Sequence, residues 1–217
     1  MSGPVAWSGL RVVVSAGPTF EDIDPVRFIG NRSSGKMGFA VAAAAVRRGA
    51  DVLLIAGPVA LPTPANCNRI DVRSAADMHA AVFAALPCDV YIGAAAVADY
   101  TPAEVAPCKI KKGDGDMTLI LRRTRDILAE LGGDARRPRV LVGFAAETRD
   151  VEGYARGKLV RKNLDLIAAN RVGLAGTGFE SDDSTLQVFS ADASHPLGPA
   201  PKVELAEALL DLIGARL

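Results

Sequence analysis

Short apolar segments alternate with longer segments of helical periodicity along most of this chain. Most of the apolar segments are apolar on both faces and bounded by Gly, Pro or Asp, which is typical of strands buried between two layers of helices. The predicted strands are Leu10–Ser15, Asp51–Ile55, Asn68–Val72, Val90–Ala95, Val140–Phe144 and Leu164–Ala169. The predicted helices are Lys36–Arg48, Ala75–Leu86, Thr124–Leu131 and Val151–Arg161. This order indicates an α/β fold with a Rossmann-like, doubly wound and mostly parallel sheet, which binds ligands beyond the carboxyl ends of its strands.

The composition narrows the class of protein further. A chain of 217 residues forms one large domain or two small ones, and we predict a single domain over residues 1–217. Only 5% of the residues are aromatic, so the core should consist of aliphatic side chains. A formal net charge of zero argues against a general nucleic-acid binder or membrane-surface binder. Three widely spaced cysteines without a C-x-x-C motif suggest neither a disulfide framework nor a zinc site.

The N-terminal residues MSGPVAWSG lack the charged region and apolar run of a signal peptide. No apolar run reaches about 18 residues, so we expect no membrane-spanning helix and predict a cytoplasmic protein. The first strand begins after a short lead that contains Gly and Pro, an arrangement that also fits a domain taken from a longer polypeptide.

The segment Asp24–Gly38, DPVRFIGNRSSGKMG, precedes an Ala-rich helix and contains Gly, Ser, Asn, Arg and Lys with few apolar residues. The unpaired N–H groups and the dipole at a helix N-terminus favour an anion there. We therefore predict a phosphate loop formed by Ser33, Ser34, Gly35, Lys36 and Gly38. The alternative is a solvated glycine-rich turn in which Ser33 or Ser34 caps the helix.

Three familiar enzyme signatures are incomplete or missing. The loop nearly matches a P-loop, but Met37 stands where Ser or Thr would hold Mg²⁺, and the loop does not follow its strand directly. The glycine fingerprint of a dinucleotide-binding fold and the acidic residue that ends its second strand are both absent. No G-x-S-x-G motif occurs, which argues against a nucleophile elbow.

Residues Asp99–Leu121 lack helical periodicity and read as an extended arm around a GDGD turn. This pattern predicts two antiparallel strands around Gly113–Asp116. Lys109 and Lys111 would then share one side of a strand, away from Lys112, and could face phosphates. A charge run of this kind is, however, usually a solvated surface.

Two further clusters follow predicted strands. In Gly93–Tyr100, GAAAVADY, small residues would let a planar ring approach the backbone, and Asp99 could bind ribose hydroxyls or a metal. In Gly143–Thr148, GFAAET, Phe144 could stack on a base or belong to the core. The alternative for the first cluster is a tight exit from its strand.

The C-terminal part of the chain contains three more elements. Lys158 and Lys162 lie four residues apart and therefore on one face of their helix, which suits a nucleotide but also fits a solvated helix. The residues Gly178–Ser190 end in STLQVFS, which alternates like a strand. An amphipathic helix is predicted at Lys202–Arg216.

Taken together, these segments resemble phosphopantothenoylcysteine synthetase, an enzyme family of the coenzyme A pathway, over nearly the whole chain. The matching segments are SAGPTFEDIDPVRFIGNRSSGKMGFA, GPVALPTP, IGAAAVADYTPAEVAPCKIKK, GFAAET and KLVRKNLDLIAAN. The chain is similar to the bacterial type, which uses CTP and is commonly fused behind a flavin-dependent phosphopantothenoylcysteine decarboxylase. The resemblance implies no flavin in this domain, a decarboxylase partner that is fused or separate, and no nucleic-acid or membrane partner.

The resemblance also implies a reaction. CTP and 4′-phosphopantothenate form an acyl-cytidylate and pyrophosphate, and the amine of L-cysteine then attacks the activated carbonyl and releases CMP. Two phosphorylated substrates must approach each other, so cations and Mg²⁺ are expected to offset their repulsion. No protein nucleophile is required. Family members are homodimers whose arm reaches the neighbouring subunit, and the segment Asp99–Leu121 looks suited to that role.

The family's site residues carry over by position. Asn31 matches an Asn that handles the acyl-cytidylate, where an amide can donate to the activated carbonyl. Arg27 should support that step or bind the acyl substrate, and Lys109 should contact the CTP phosphates. The expected CTP-binding residues are Gly93, Ala94, Ala95, Asp99, Lys109, Arg125, Asp126, Ile127, Leu128, Phe144, Lys158 and Lys162. The metal ligands stay unknown, with Asp99 as a candidate.

The chain departs from the family at one segment. Bacterial members usually read N-P-D-I where this chain has Thr124, Arg125, Asp126 and Ile127. Thr124 can still cap the helix, but Arg125 adds flexibility and a charge, so base selectivity is the least secure expectation. The alternatives to a ligase are a catalytically silent subunit that supports a decarboxylase, and a nicotinamide-dependent reductase on a related fold.

Overall fold

The computed structural model describes residues 6–172 and 182–217, which form one large sheet flanked by helices. The strands are β1 Arg11–Ala16, β2 Phe20–Asp22, β3 Phe28–Gly30, β4 Asp51–Ala56, β5 Asn68–Asp71, β6 Val90–Gly93, β7 Tyr100–Pro102, β8 Leu121–Arg123, β9 Val140–Glu147, β10 Leu166–Arg171, β11 Asp183–Phe189 and β12 Ser194–Pro201. The helices are α1 Lys36–Arg47, α2 Ala75–Ala84, α3 Ile127–Gly133, α4 Val151–Arg161 and α5 Lys202–Gly214. Among the described residues, no helix is long and apolar enough to cross a membrane.

The central sheet has eight strands in the order β12-β11-β10-β9-β6-β1-β4-β5. The six strands from β10 to β5 are parallel, and in chain order they read 6-5-4-1-2-3, the arrangement of a Rossmann fold. β11 and β12 continue the sheet antiparallel beyond β10. The predicted Rossmann-like, doubly wound and mostly parallel α/β fold is confirmed, whereas the single domain over residues 1–217 stays a prediction.

Helices cover both faces of this sheet because its strands are apolar on both sides. In β1, Val12 and Val14 pack into the core beneath α1 and α5, whereas Val13 packs into the core beneath α2, α3 and α4. Close packing of α1 depends on Gly38, because a Cβ there would lie 2.5 Å from the Cβ of Ala16. The alternation of the strands therefore determines both layers.

The arm differs from its prediction. Its two strands pair antiparallel at the base, where Tyr100–Pro102 lies against Leu121–Arg123. Residues 103–120, all of which the structure describes, form no strand, so the strands predicted around Gly113–Asp116 are wrong and Lys109 and Lys111 do not share one side of a strand. Residues 111–118 are all exposed, and a strand there would have no apolar face to bury.

Several elements were missed or displaced by the sequence analysis. The hairpin of β2 and β3 and the strand β12 were not predicted, because the first is very short and the second contains three prolines and a glycine. β11 confirms the strand predicted within Gly178–Ser190, although residues 178–181 of that prediction lie outside the described residues. The helix predicted from Thr124 begins at Ile127 instead, with Asp126 as its N-cap.

Candidate active site

A cleft of about 900 Å³ opens at the carboxyl edge of β1, β6 and β9, where the strand order reverses. Four segments meet there: residues 31–38 at the start of α1, 93–100 at and after the end of β6, 123–128 at the start of α3, and 144–146 near the end of β9. Because parallel strands end on the same edge, segments far apart in the chain converge at this cleft. All predicted site residues except Arg27 and Lys109 line it.

The phosphate loop runs along one wall of the cleft. Its Gly35 has a φ of 75°, a left-handed conformation that glycine adopts easily, and it is the N-cap of α1 without a side-chain hydrogen bond. The alternative, in which Ser33 or Ser34 caps the helix, is therefore wrong; instead, the Ser33 hydroxyl accepts from the Gly35 N–H at 3.3 Å. The start of α1 thus presents backbone N–H groups to the cleft rather than to a serine cap.

Asn31 joins the phosphate loop to the loop after β6. Its Nδ2 donates to the carbonyl oxygen of Val97 at 3.0 Å and to that of Ala96 at 3.3 Å. Both amide hydrogens are therefore used within the protein, whereas no described residue donates to its Oδ1. In this conformation the side chain orients the loop after β6 and keeps Oδ1 as an acceptor that no described residue uses.

The loop after β6 is also fixed at Ala98. The N–H of Ala98 donates to the hydroxyl of Thr19 at 2.9 Å, and its carbonyl accepts from the hydroxyl of Thr124 at 2.6 Å. The N–H of Thr124 also donates to the carbonyl of Asp99 at 3.0 Å. The expected capping by Thr124 is thus wrong, since its hydroxyl holds this loop instead and leaves the exposed Asp99 at the cleft.

Lys158 of α4 and Lys162, the C-cap residue of that helix, reach the cleft together, as their spacing predicts. Lys158 Nζ lies 2.6 Å from Glu147 Oε1, and Lys162 Nζ lies 2.9 Å from Asp126 Oδ2. Asp126 also caps α3 by accepting from the N–H of Ala129 at 3.1 Å. Each lysine is therefore held in place by a carboxylate.

Arg125 belongs to a second charged network at the cleft. Its Nε donates to Glu130 Oε1 at 3.0 Å, and Glu130 Oε2 lies 3.0 Å from Nε2 of the buried His79. The hydrogen bond from Arg125, followed by that from His79, lowers the pKa of the Glu130 carboxyl. His79, for which the sequence indicated no role, thus supports the carboxylate that holds Arg125.

The sequence analysis missed several residues on the far side of the cleft. Asn170 Nδ2 donates to the hydroxyl of Ser184 at 3.1 Å, and Lys202 stands at the start of α5, close to Lys36. Burial, and then the charge of Lys36, lowers the pKa of the Lys202 ammonium. Asn170 ends a parallel strand and could have been found by that rule, whereas Ser184 and Lys202 reach the cleft only because the antiparallel strands extend the sheet.

Positive charge dominates the lining of the cleft. Among the lining residues that the structure describes, lysines and arginines outnumber acidic residues by seven to two: Arg32, Lys36, Arg123, Arg125, Lys158, Lys162 and Lys202 against Asp99 and Asp126. Arg32 and Arg123 form no ion pair with any residue in the described ranges. Such a cleft attracts polyanions such as nucleotide phosphates.

The acidic residues set a limit on metal binding. Within residues 6–172 and 182–217, no group of three or more His, Cys, Asp or Glu side chains could hold a metal ion. Mg²⁺ that arrives with a nucleotide needs only one or two protein carboxylates besides the phosphates, and Asp99 is suitably exposed in the cleft. The donor set thus fits a metal carried by a substrate rather than a permanent metal centre.

Arg27 and Lys109 lie outside the lining of the cleft. Asp24, in the turn between β2 and β3, forms an ion pair with Arg27 and accepts from the N–H of Ile110 at 3.1 Å. The hydrogen bonds from Arg27, and further ones from backbone N–H groups, hold the pKa of Asp24 well below its usual range despite its burial. Arg27 therefore contacts the arm, one residue from Lys109.

The residues that match a known family model cover nearly the whole chain. The model of the DNA/pantothenate metabolism flavoprotein C-terminal domain matches residues 7–217. This chain belongs to that family. The family resemblance noted in the sequence is thereby confirmed.

Curated relatives agree with this assignment. The chain is 52% identical over 213 residues to the coenzyme A biosynthesis bifunctional protein CoaBC of Vibrio cholerae, which covers 97% of this chain and 53% of the relative. It is 50% identical over 212 residues to CoaBC of Escherichia coli, which covers 95% of this chain and 52% of that relative. The chain thus spans about half the length of the curated relatives it matches.

Solved structures show the same fold. The C-terminal domain of CoaBC superposes with a TM-score of 0.82 at 40% identity, over 97% of each chain. A DNA/pantothenate metabolism flavoprotein from Streptococcus pneumoniae gives 0.81 at 24% identity, over 96% of this chain and 100% of the other. A Cab2 mutant in complex with phosphopantothenate-cysteine gives 0.78 at 16% identity, over 95% and 86%. The last two likenesses concern the fold alone.

Proposed function

We propose that this chain is a phosphopantothenate–cysteine ligase that uses CTP and acts in coenzyme A biosynthesis. The observation that carries the proposal is the convergence of the phosphate loop, the loop after β6, Lys158 and Lys162 around one cationic cleft. The names of the CoaBC relatives refer to coenzyme A biosynthesis, which supports the pathway. The nucleotide and the intermediate are inferred from the family resemblance and from the chemistry of the cleft.

In the first step, a carboxylate oxygen of 4′-phosphopantothenate attacks the α-phosphorus of CTP, and pyrophosphate leaves. We assign the base and ribose to the small residues Gly93, Ala94 and Ala95 with Phe144, where a planar ring can approach the backbone. The phosphates would then lie towards Lys158 and Lys162, whose ion pairs fix their positions before the substrate binds. This part of the site acts by positioning and charge stabilisation.

In the second step, the amine of L-cysteine attacks the acyl carbonyl, an amide bond forms, and CMP leaves. Asn31 lines the cleft beside the loop that we assign to the nucleotide, and its Nδ2 donates to the carbonyls of Ala96 and Val97. Donation to the activated carbonyl would require the release of one of these hydrogen bonds, whereas Oδ1 can accept from the incoming amine directly. Arg27 and Lys109 complete the proposed catalytic set.

Besides Lys158 and Lys162, a second cationic region of the cleft can bind a phosphate group. The N-terminus of α1, with Ser33, Ser34 and Lys36, receives a phosphate, and Lys202 adds charge on the same side. Mg²⁺, when bound with the nucleotide, would offset the charge of its phosphates, with Asp99 as the candidate protein ligand.

The proposed assembly is a homodimer with the arm shared between subunits. Apolar side chains on the β2–β3 hairpin and on the arm are exposed in the single chain: Val26, Phe28, Val105, Met117, Ile120 and Leu121. We take these exposed apolar side chains as candidates for the contact between subunits. In the whole protein, a decarboxylase would precede this domain or act beside it, as the bifunctional relatives suggest.

The test is pyrophosphate release by the purified protein with Mg²⁺, 4′-phosphopantothenate and either CTP or ATP, with and without L-cysteine. Release with CTP, followed by CMP and phosphopantothenoylcysteine when cysteine is added, is the expected result. A preference for ATP would retain the ligase and locate the difference in Thr124–Asp126. No release from folded protein would favour the silent subunit, and nicotinamide binding followed by fluorescence would favour the reductase.

A further inference from the structure

The carboxylate of Asp24 lies in the turn between β2 and β3, and its side chain is fully buried. Its Oδ1 accepts from the N–H of Val26 at 2.8 Å and from that of Arg27 at 2.9 Å. Its Oδ2 accepts from Nε of Arg27 at 3.0 Å and from the N–H of Ile110 at 3.1 Å. A buried charge needs such partners, and one of them comes from the arm, 86 residues away.

Both backbone polar groups of one arm residue, Ile110, form hydrogen bonds with the hairpin. While the N–H of Ile110 donates to Asp24, the carbonyl of Ile110 accepts from Arg27 at 2.8 Å. A third bond joins the N–H of Ala106 to the carbonyl of Ile23 at 3.0 Å. Asp24 and Arg27 thus form a clamp on the backbone of Ile110.

Ile110 is the last residue before the fully exposed part of the arm. Residues 111–118 are all exposed, and no strand forms in residues 103–120, which are described in full. Lys109 immediately precedes the clamped residue, and a lysine side chain has four rotatable bonds. A charge on such a side chain reaches one position reproducibly only when its backbone is fixed.

We propose that Asp24 is a positioning residue that, together with Arg27, fixes the backbone of the arm beside Lys109. This inference rests on the proposed function only for the role of Lys109 in turnover. The clamp fixes the backbone position from which the Lys109 side chain extends. This holds whether the arm serves the cleft of its own chain or that of a second copy. The alternative is that Asp24 merely stabilises the hairpin turn through Val26 and Arg27.

The first experiment compares Asp24→Asn with Asp22→Asn as its matched control. Asp22 lies on the same hairpin and pairs with Arg73 at 2.6 Å; it is partly exposed, and it forms no hydrogen bond to the arm within the described residues. Without substrate, amide hydrogen exchange at Ile110 and trypsin cleavage after Lys109 should each become about tenfold faster in Asp24→Asn and stay unchanged in the control. Unchanged exchange and cleavage in folded Asp24→Asn would overturn the clamp.

The second experiment tests whether the clamp acts through Lys109. Asp24→Asn should lower kcat while leaving KM for CTP within about twofold, and it should cause little further loss in a Lys109→Gln background. If the fold-losses of kcat caused by Asp24→Asn and Lys109→Gln multiply in the double variant, Asp24 does not act through Lys109. That result would contradict a positioning role and indicate a separate effect on the fold. Ile110→Pro, which removes the N–H that Asp24 accepts and leaves the hairpin intact, should lower kcat in the same way if Asp24→Asn does not fold.

The two proposals fail in different ways. A wild-type protein without ligase turnover would contradict the proposed function, while exchange and proteolysis, which need no substrate, would still decide whether Asp24 holds the arm. Normal turnover in Asp24→Asn with rapid exchange at Ile110 would overturn the positioning role and leave the ligase assignment intact.

Discussion

The hydroxyl of Thr124 donates to the carbonyl oxygen of Ala98 at 2.6 Å, and this bond joins the segment before α3 to the loop that we assign to the nucleotide. Thr124→Val keeps the shape of the side chain but leaves that carbonyl without its partner. The loss of one such bond costs about 0.5–1.5 kcal/mol, so KM for CTP should rise about three- to tenfold. Steady-state kinetics checks this, with Thr124→Ser as the control that keeps the hydroxyl and should stay within about twofold.

Lys162 should strengthen nucleotide binding in two ways. It supplies a cation, and its ion pair at 2.9 Å neutralises Asp126, which would otherwise repel the phosphates. Lys162→Met should therefore weaken CTP binding about ten- to a hundredfold in calorimetric titration. Arg161→Met is the matched control, because Arg161 lies on the same helix, is exposed and does not line the cleft. Equal losses in both variants would contradict the assignment.

Lys109→Gln should leave the fold intact and lower turnover about a hundredfold or more, because a cation that offsets phosphate charge is lost. Asn31→Asp should let the acyl-cytidylate form but slow its conversion with cysteine. Circular dichroism and separate assays of pyrophosphate and CMP release check both variants. Near-normal turnover in the first, or an unchanged cysteine-dependent rate in the second, would remove that residue from the catalytic set.

A shared site predicts complementation between these two inactive variants. If the arm of one subunit serves the cleft of the other, each mixed dimer of Lys109→Gln and Asn31→Asp contains one complete site. Random pairing makes about half of the dimers mixed, so co-expression should restore about a quarter of wild-type activity. No recovery in a preparation that mass spectrometry shows to contain mixed dimers would mean that the arm serves its own chain.

Acid should destabilise the fold through its paired carboxylates. Hydrogen bonds from Arg73, Arg27 and Arg125 lower the folded-state pKa of Asp22, Asp24 and Glu130, respectively. Their contribution is therefore present above the unfolded pKa, near 4, and is lost as the pH falls towards the lower folded values. Urea unfolding should show a falling free energy of unfolding below about pH 4.

The same titration has an internal control. Asp24→Asn should be less stable than the wild type at pH 7 and should lose less stability on acidification, because its amide does not titrate. A variant with the same dependence below pH 4 as the wild type would mean that Asp24 does not contribute to the acid sensitivity.

Gly38 should be intolerant of any side chain. A Cβ at this position would lie 2.5 Å from the Cβ of Ala16, so Gly38→Ala should lower the free energy of unfolding by about 1–3 kcal/mol. Gly157→Ala is the control, since nothing lies within 4 Å of its added Cβ and alanine favours the exposed helix by about 0.5–1 kcal/mol. Urea unfolding of both variants measures the difference.

The sequence was most informative where burial follows a local period. The strands beginning at Asp51 and Val90 and the helix beginning at Lys36 lie where their patterns predict. Lys158 and Lys162 face one cleft because their spacing is that of a helix. These features depend on neighbours within a few residues, and the chain alone contains that information.

Contacts between distant segments could not be predicted from such periodicity. The strands predicted around Gly113–Asp116 do not form, and Thr124 bonds to Ala98 instead of capping a helix. The family resemblance indicated that Arg27 matters, but only the structure shows that Arg27 and Asp24 both bond to the backbone of Ile110.

The sequence by itself thus determined the layers of the fold, the family and most of the loops that form the cleft. The tertiary structure decided how those loops hold one another, with Asn31 bonded to the loop after β6 and Asp24 bonded to the arm, and it brought Lys202 near Lys36. The physical reason is that periodicity reports whether a residue is buried, whereas a hydrogen bond between segments depends on the partner that the fold brings within about 3 Å.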